Sequence, residues 1–587
     1  MRIKCKSRKN LINAAMGRIE NDLVIENAKV VNMVNGEINE ASVYIKDGFI
    51  THVAYEPCDL VAKEHYDAKG MYLTPGLIDS HVHIESSMLT PYNFAKVVIP
   101  WGTTTVITDP HEIGNVMGKD GVKYMHEASK GLPMRQFIDI PSSVPSVKGG
   151  LENANATFYK EEIAELAKLE RVIGLAEVMD YLAVINAEDW MLDIIETALD
   201  NDLYLQGHAP FVSGKALSAY LCGGPNTDHE TRDAKEAYEK FRNGMRIDAR
   251  SSSICKNINE ILNGIKGTKY FDNLTFCTDD READDILKHG QLNDVLNEAI
   301  AWGMEPIDVL KAATFNAAKE ANIDKLGLIA PGYVADILLL EDLKHIDPSA
   351  VFFEGKLVAK DHELLVDIKH DSYKEESVNS VKLSDDLSVD DFVIKAPIAN
   401  GKIKVNVMAY DALDSSSTHL EVKEFEVRDH EIILEDNYSF VAVLNRYGLR
   451  NIALHVVKHF GLNKGALAST VSHDSHNLTI VYKKPSDAYK CALNIKDAHG
   501  GMSAVIDGED IYTLALPLAG LMSLKDAKEL SLEAEKMKEA NRQVGLKELE
   551  NPLLRIVTLA LPVVPEVKMS DMGLVDVNKK VFIPLFA

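Results

Sequence analysis

The sequence predicts an α/β protein whose centre is a (β/α)8 barrel, with a small flanking β-sandwich domain and a C-terminal α+β domain. Three observations predict it. Eight short apolar runs alternate with helical patterns between residues 75 and 322, β-rich stretches lie on either side of them, and a polar segment then precedes a further mixed region. At 587 residues the chain exceeds what one core serves, so several domains are expected.

Residues 1–21 read as an N-terminal extension. They are basic at Arg2, Lys4, Lys6, Arg8, Lys9 and Arg18, but no apolar stretch or small-residue cleavage site follows. From Asp22 the stretch "DLVIENAKVVNMVNGEINEASVYIKDGFITHV" alternates as short strands broken at Asn35-Gly36 and Asp47-Gly48, both turn dipeptides. Similar patterning returns in "APGYVADILLLEDL" and "AVFFEGKLVAKD". Residues 22–74 and 323–368 are therefore expected to share one small β domain, with everything between them inserted.

The eight runs of that insertion are "GLIDSHVHI", "TTTVITDP", "RQFIDIP", "RVIGLAEVM", "DLYLQGHAP", "AYLCGGPNTD", "MRIDARSS" and "LTFCTDD". Helical patterns such as "KEEIAELAKLE" (160 to 170) and "WMLDIIETALDND" (190 to 202) fill the gaps. A TIM-like barrel over 75–322 fits this count, and a doubly wound open sheet shares the alternation. Residues 369–390, most of them in the polar stretch "HDSYKEESVNSVKLSDDLSVDD" that follows Lys369, read as a linker. Beyond it, over 391–587, strand patterns in "GKIKVNVMAYD", "YSFVAVLNRYG", "LTIVYKK" and "MSAVIDG" accompany a long charged helix at 523–543.

Composition narrows the function. Hydrophobic residues at 46% and charged residues at 26% are globular proportions, and no run approaches the roughly 18 apolar residues of a membrane span. With 63 basic against 89 acidic residues the net charge is −26, which repels a nucleic-acid backbone and leaves a small neutral substrate as the better partner. The six cysteines are scattered without a C-x-x-C pair, which suits a reducing, cytoplasmic setting and excludes a thiolate zinc site. A homo-oligomer, taken as a dimer, is the expected assembly.

His81 and His83 stand two apart at the end of the first run. On a strand, residues i and i+2 share a face, so two imidazoles converge on one point. An isolated H-x-H is weak evidence for metal, but other nitrogen and oxygen donors recur at the ends of later runs. Glu177 lies in the fourth, His208 ends the fifth, His229 follows the sixth and Asp279 ends the eighth. A barrel gathers those ends on one face, enough to ligate two divalent ions about 3.5–4 Å apart. Plainer readings stand beside this one. His208 can cap a loop beside Pro210, His229 can sit in an exposed acidic loop, and Asp279 with Asp280 can cap a helix. Glu177, amid Leu175, Ala176, Val178 and Met179, resists such a reading, because a buried carboxylate is costly unless paired or ligating.

These motifs resemble the amidohydrolase superfamily: "PGLIDSHVHIE" opens the barrel and "LGLIAPGYVADILLL" returns to the flanking sheet. More narrowly, "TDPHEIGNVMG", "GLAEVM", "GHAP", "CTDD" and "SHDSHN" resemble the bacterial adenine deaminases, nearly throughout the chain from Asp22. Many superfamily members carry a carboxylated lysine on the fourth strand, whereas this run holds Glu177, as the adenine deaminases do. The resemblance implies that His81 and His83 bind one metal with Asp279, that His208 and His229 bind the other, and that Glu177 bridges them. It favours Mn²⁺ or Fe²⁺, with Zn²⁺ compatible with the donors.

The implied reaction belongs to purine salvage. Two ions sharing a water lower its pKa toward about 7, hydroxide attacks C6 of adenine, N1 gains a proton, and ammonia leaves hypoxanthine behind. Asp279 and then Glu112 are the expected proton carriers, and His111 would stabilise charge or orient Glu112. Asp109-Pro110-His111-Glu112 can equally be a turn opening a helix. In the last domain His473, Asp474, His476 and Asn477 either reach over the barrel mouth or form a polar turn. Two other functions share most of these features: an amidohydrolase acting on a cyclic amide or N-acyl group, and an inactive scaffold of the same fold.

Overall fold

The computed structural model describes residues 3–253, 255–369, 377–412 and 417–587. Eight parallel strands form its centre: Leu77–Val82, Thr103–Thr108, Arg135–Ile140, Val172–Val178, Tyr204–Gly207, Thr227–Asp228, Arg246–Arg250 and Leu274–Cys277. The first five pair in sequence order, as do the last three. Closure comes from the first and eighth strands, where Asp279 N–H donates to His81 O at 3.0 Å and His83 N–H to Asp279 O at 3.2 Å. At the other seam Gly207 N–H donates to Thr227 Oγ1 at 3.0 Å. The closed barrel, rather than an open sheet, is thus the one the chain adopts.

The sixth strand is shorter than its run suggests. The apolar "AYLC" belongs to the helix Gly214–Cys222, and only Thr227 and Asp228 pair as strand. Periodicity cannot separate a short buried strand from a buried helical turn. The other helices keep the expected apolar stripe. In Ile258–Ile265 the buried residues Ile258, Ile261, Leu262 and Ile265 follow the helical spacing and face the barrel.

Beside the barrel a nine-stranded sheet joins the two β-rich stretches. Ile337–Leu340 pairs antiparallel with Tyr72–Pro75, just before the first barrel strand. Alternation divides this strand between two cores: Ile337 and Leu339 face the sheet's own interior, Leu338 and Leu340 the barrel. The Asp47-Gly48 turn places both residues at positive φ, 50° and 81°, the geometry a two-residue hairpin needs. Within the first 21 residues the helix Arg8–Ala15 packs Leu11 against this side of the barrel, capped by Ser7.

The C-terminal region holds a second nine-stranded sheet, with helices Pro485–Asp497 and Ala527–Val544, and a ribbon of three short strands from Val567 to Ile583. Part of the stretch read as a linker, residues 370–376, lies outside the described residues. The part from 377 onward lies along this sheet, with Val381, Leu383 and Leu387 buried in its core.

This region docks on the loops that follow the barrel strands. Ser523 N–H donates to Met88 O, Asn477 to Asn153 O, Lys538 pairs with Asp284, and Lys580 with Asp180. Those loops sit at the end of the barrel where sites of this fold form. Among the described residues, no helix is long and apolar enough to cross a membrane.

Candidate active site

Each expected ligand is delivered by a strand end. His81 lies within the first strand and His83 just past it; Glu177 is in the fourth; His208, His229 and Asp279 follow the fifth, sixth and eighth. All six are buried. Asp279 takes a left-handed φ of 55°, which Asp tolerates better than most residues and which turns its carboxylate across the barrel. Glu282, rather than Asp279 or Asp280, is the cap residue of the next helix, Ala283–His289, so capping does not account for them.

Glu177 divides its two oxygens. Oε1 lies 3.4 Å from His83 Nε2 and 3.9 Å from His81 Nε2. Oε2 contacts His208 Nδ1 and lies 3.2 Å from His229 Nε2. On the first side, Asp279 Oδ1 lies 3.2 Å from His83 Nε2 and 3.5 Å from His81 Nε2. Burial alone would raise the Glu177 carboxyl, but the His208 and His229 charges outweigh it and hold the group well below the ordinary range. His229 is correspondingly pushed up to about 9, with burial opposing and Glu177 prevailing.

The histidine tautomers favour cation binding. His83 Nδ1 donates to Asp109 O at 2.9 Å, and a carbonyl can only accept. His81 Nδ1 lies 2.9 Å from Gln206 Oε1, whose amide is oriented by its own N–H donating to Ser80 O at 2.8 Å. In the neutral rings both Nε2 atoms are therefore lone pairs, yet they stand 3.0 Å apart. Two lone pairs facing each other repel unless a cation lies between them. Carboxylate oxygens and imidazole nitrogens, with no thiolate, suit a divalent ion, and the groups His81–His83–Asp279 and His81–Glu177–His229 are close enough to hold one.

Gln206 is thus an outer support of the site. Gln206→Ala should weaken divalent-metal affinity by about 10- to 100-fold while leaving the fold intact. Metal titration of the stripped protein reads this directly, and unchanged affinity would refute the tautomer argument.

Comparison with known proteins now gives these donors a family. Residues 72–358 match the amidohydrolase family and residues 415–581 match the adenine deaminase C-terminal domain. Adenine deaminase 2 of Carboxydothermus hydrogenoformans is 37% identical, covering 99% of this chain and 100% of the relative. The adenine deaminase of Clostridium acetobutylicum is 37% identical over 96% and 98% of the two chains, and that of Bacillus pumilus 35% over 98% of each. The chain belongs to the adenine deaminase family.

Within this adenine deaminase fold His111 joins the cluster, its Nδ1 3.0 Å from Asp109 Oδ2 and 3.5 Å from Glu177 Oε1. Glu112 stands apart. It is fully buried behind the wall of the cavity, accepting from Ser86 Oγ at 2.9 Å and lying 3.3 Å from His473 Nε2. Ser86 also reaches Asp280 Oδ1 at 2.5 Å, so Glu112 meets the cavity through its neighbours.

Several residues escaped the sequence reading. Arg250, on the seventh strand, is bonded to Asp279 Oδ2 and to Glu230 Oε1, the latter at 2.6 Å. Burial would raise the Asp279 carboxyl, but Arg250 and the histidines keep it well below the ordinary range. Glu230 is held to about 2 by Arg232 and Arg250 against its burial. An arginine ending a strand carries no sequence signal beyond its place one strand before Asp279. His473 and Asp474, for which the sequence offered either the barrel mouth or a polar turn, reach the cavity from the C-terminal region; with Leu561 and Pro565, which the sequence did not single out, they close a space of about 120 Å³ over the donors.

Proposed function

We propose that this chain hydrolyses adenine to hypoxanthine and ammonia. His81, His83 and Asp279 would hold one divalent cation and His208 and His229 a second, with the Glu177 carboxylate available to both. The division of the Glu177 oxygens between the two histidine pairs carries this reading, and the full-length likeness to adenine deaminases supplies the substrate. Such ions, when bound, supply Lewis acidity that lowers the pKa of a shared water from about 15.7 toward 7.

The chain's own residues do the rest. Asp279, kept ionised and turned toward His81 and His83 by Arg250, is the carboxylate that accepts the water's proton. His111, between Asp109 and Asp474, stands where charge develops on the ring. Glu112 exchanges protons with the cavity by way of Ser86 and Asp280. Leu561, Val564 and Pro565 keep bulk water from the donors.

The likeness to adenine deaminases favours Mn²⁺ or Fe²⁺ as the working ions, and the thiolate-free nitrogen and oxygen donors suit these and Zn²⁺ alike. A cytoplasmic homodimer is proposed with it, supported by the scattered unpaired cysteines for the compartment and testable by light scattering for the assembly. The division into residues 1–21, 22–74 with 323–368, 75–322 and 391–587 is likewise proposed, supported by the pairing of Ile337–Leu340 with Tyr72–Pro75; of the expected linker 369–390, residues 377–390 go with the C-terminal unit, in whose core Val381, Leu383 and Leu387 are buried.

The deciding experiment loads stripped protein with Mn²⁺, Fe²⁺ or Zn²⁺ in turn and follows purine absorbance and ammonia release from adenine. Metal-dependent conversion to hypoxanthine is expected. Two bound metals without conversion would redirect the search to cyclic amides and N-acyl compounds, and no bound metal would point to a scaffold.

A further inference from the structure

Asp474 is a buried carboxylate whose bonding is unfinished. It is only 2% exposed, yet it lines the cavity above the donors. Its Oδ1 lies 3.6 Å from His111 Nε2 and 3.9 Å from His473 Nδ1, beyond hydrogen-bond reach. Its Oδ2 is buried with no partner among the described residues. Leaving a buried carboxylate unsatisfied is costly, so a group at the wall of a ligand-sized space calls for a donor from within that space.

The chemistry of that donor is restricted. An ionised carboxylate has only acceptor lone pairs, so it attracts N–H and O–H edges and repels carbonyl oxygens. Through His111, whose Nδ1 is 3.5 Å from Glu177 Oε1, Asp474 stands close to the reacting end of the cavity. Adenine bound with C6 toward the donors would present its 6-amino group there, while the deaminated product would present an oxygen on the same carbon.

We infer that Asp474, supplied by the C-terminal region and not by the barrel, is a substrate-binding residue that accepts an N–H from the amino-bearing edge of the base. The same carboxylate disfavours the oxo product, so it separates substrate from product by the polarity of one edge. The inference rests on the proposed deamination of adenine. It assigns the C-terminal region a direct part in specificity, beyond roofing the cavity.

Asp474→Asn tests it, because the amide keeps the shape, loses the charge and gains an N–H that a carbonyl can accept. With two metals still bound and an unchanged melting temperature, KM for adenine should rise about ten- to a hundredfold, with a smaller change in kcat. Inhibition by hypoxanthine should tighten, narrowing the ratio of its inhibition constant to the adenine KM. Wild-type KM and ratio in the variant would overturn the assignment, as would a fall in kcat alone, which would mean that Asp474 acts through His111. A wild-type protein that leaves adenine untouched would instead overturn the function on which the inference rests.

Discussion

Replacing Glu177 with alanine is expected to cut bound divalent metal from two equivalents to one or none and to lower kcat/KM by more than about a thousandfold. An outer-shell change typically costs 10- to 100-fold, and this substitution removes the carboxylate proposed to serve both ions directly. The expectation follows from the geometry, because Oε1 serves His81 and His83 while Oε2 serves His208 and His229. No neighbour can take over. Leu175, Ala176, Val178 and Met179 flank it in sequence and are buried, and Asp279 Oδ2 is already engaged by Arg250. Glu177→Gln sharpens the test, since it keeps the volume but loses the negative charge that offsets two cations. Metal analysis of both variants beside adenine turnover provides the readout. Either variant retaining two metals and normal turnover would refute the bridging assignment.

Some of this site is legible in the chain because its signals are local. The i, i+2 spacing of His81 and His83 fixes a shared face on any strand, and Glu177 in an apolar run is anomalous wherever it folds. The eight runs place Asp279 beside His81 once a barrel closes its eighth strand on its first. Other features depend on distant packing. Arg250 looks like any polar residue at a strand end until Glu230 and Asp279 are brought to it. Asp474 becomes a cavity residue only because the C-terminal region docks on the loops after Met88, Asn153 and Asp180. Glu112 carries the opposite lesson. The sequence marks it as a proton carrier without showing its surroundings, and the helix His111–Met117 holds it behind the cavity wall against Ser86 and His473. The polar composition of 369–390 likewise concealed Val381, Leu383 and Leu387, three core residues spaced too irregularly to read as an element.

Lys240→Met should be the most damaging single change outside the metal ligands, destabilising the protein by about 3–5 kcal/mol by leaving buried carboxylates without their cation. Lys240 is fully buried on the helix Ala234–Arg242. Its Nζ donates to Asp228 Oδ2 at 2.9 Å, to Glu236 Oε1 at 2.5 Å and to Ala209 O at 2.7 Å. Asp228 Oδ1 accepts from Ala209 N–H at 2.7 Å, and Glu236 accepts from Phe211 N–H at 2.7 Å. The network therefore ties the residue after His208 to the residue before His229, and fixes the two imidazoles relative to each other. Lys240→Met should lower the melting temperature and weaken metal binding on the His208 side more than on the His81 side. Adding Asp228→Asn removes one stranded charge and should recover part of the stability, which a simple packing defect would not do. A pH effect follows as well. Burial would raise the Asp228 carboxyl, but Lys240 and its hydrogen bonds depress it below the ordinary 3.8. A group depressed in the folded state stabilises it above the unfolded value, and that stability drains away as pH falls further toward the folded value. Wild type should accordingly lose stability below about pH 4 through this group. In Lys240→Met that part of the acid dependence should shrink, and calorimetry across the acid range would detect it. An unchanged acid profile and melting temperature would show that the network does not hold the two histidines in place.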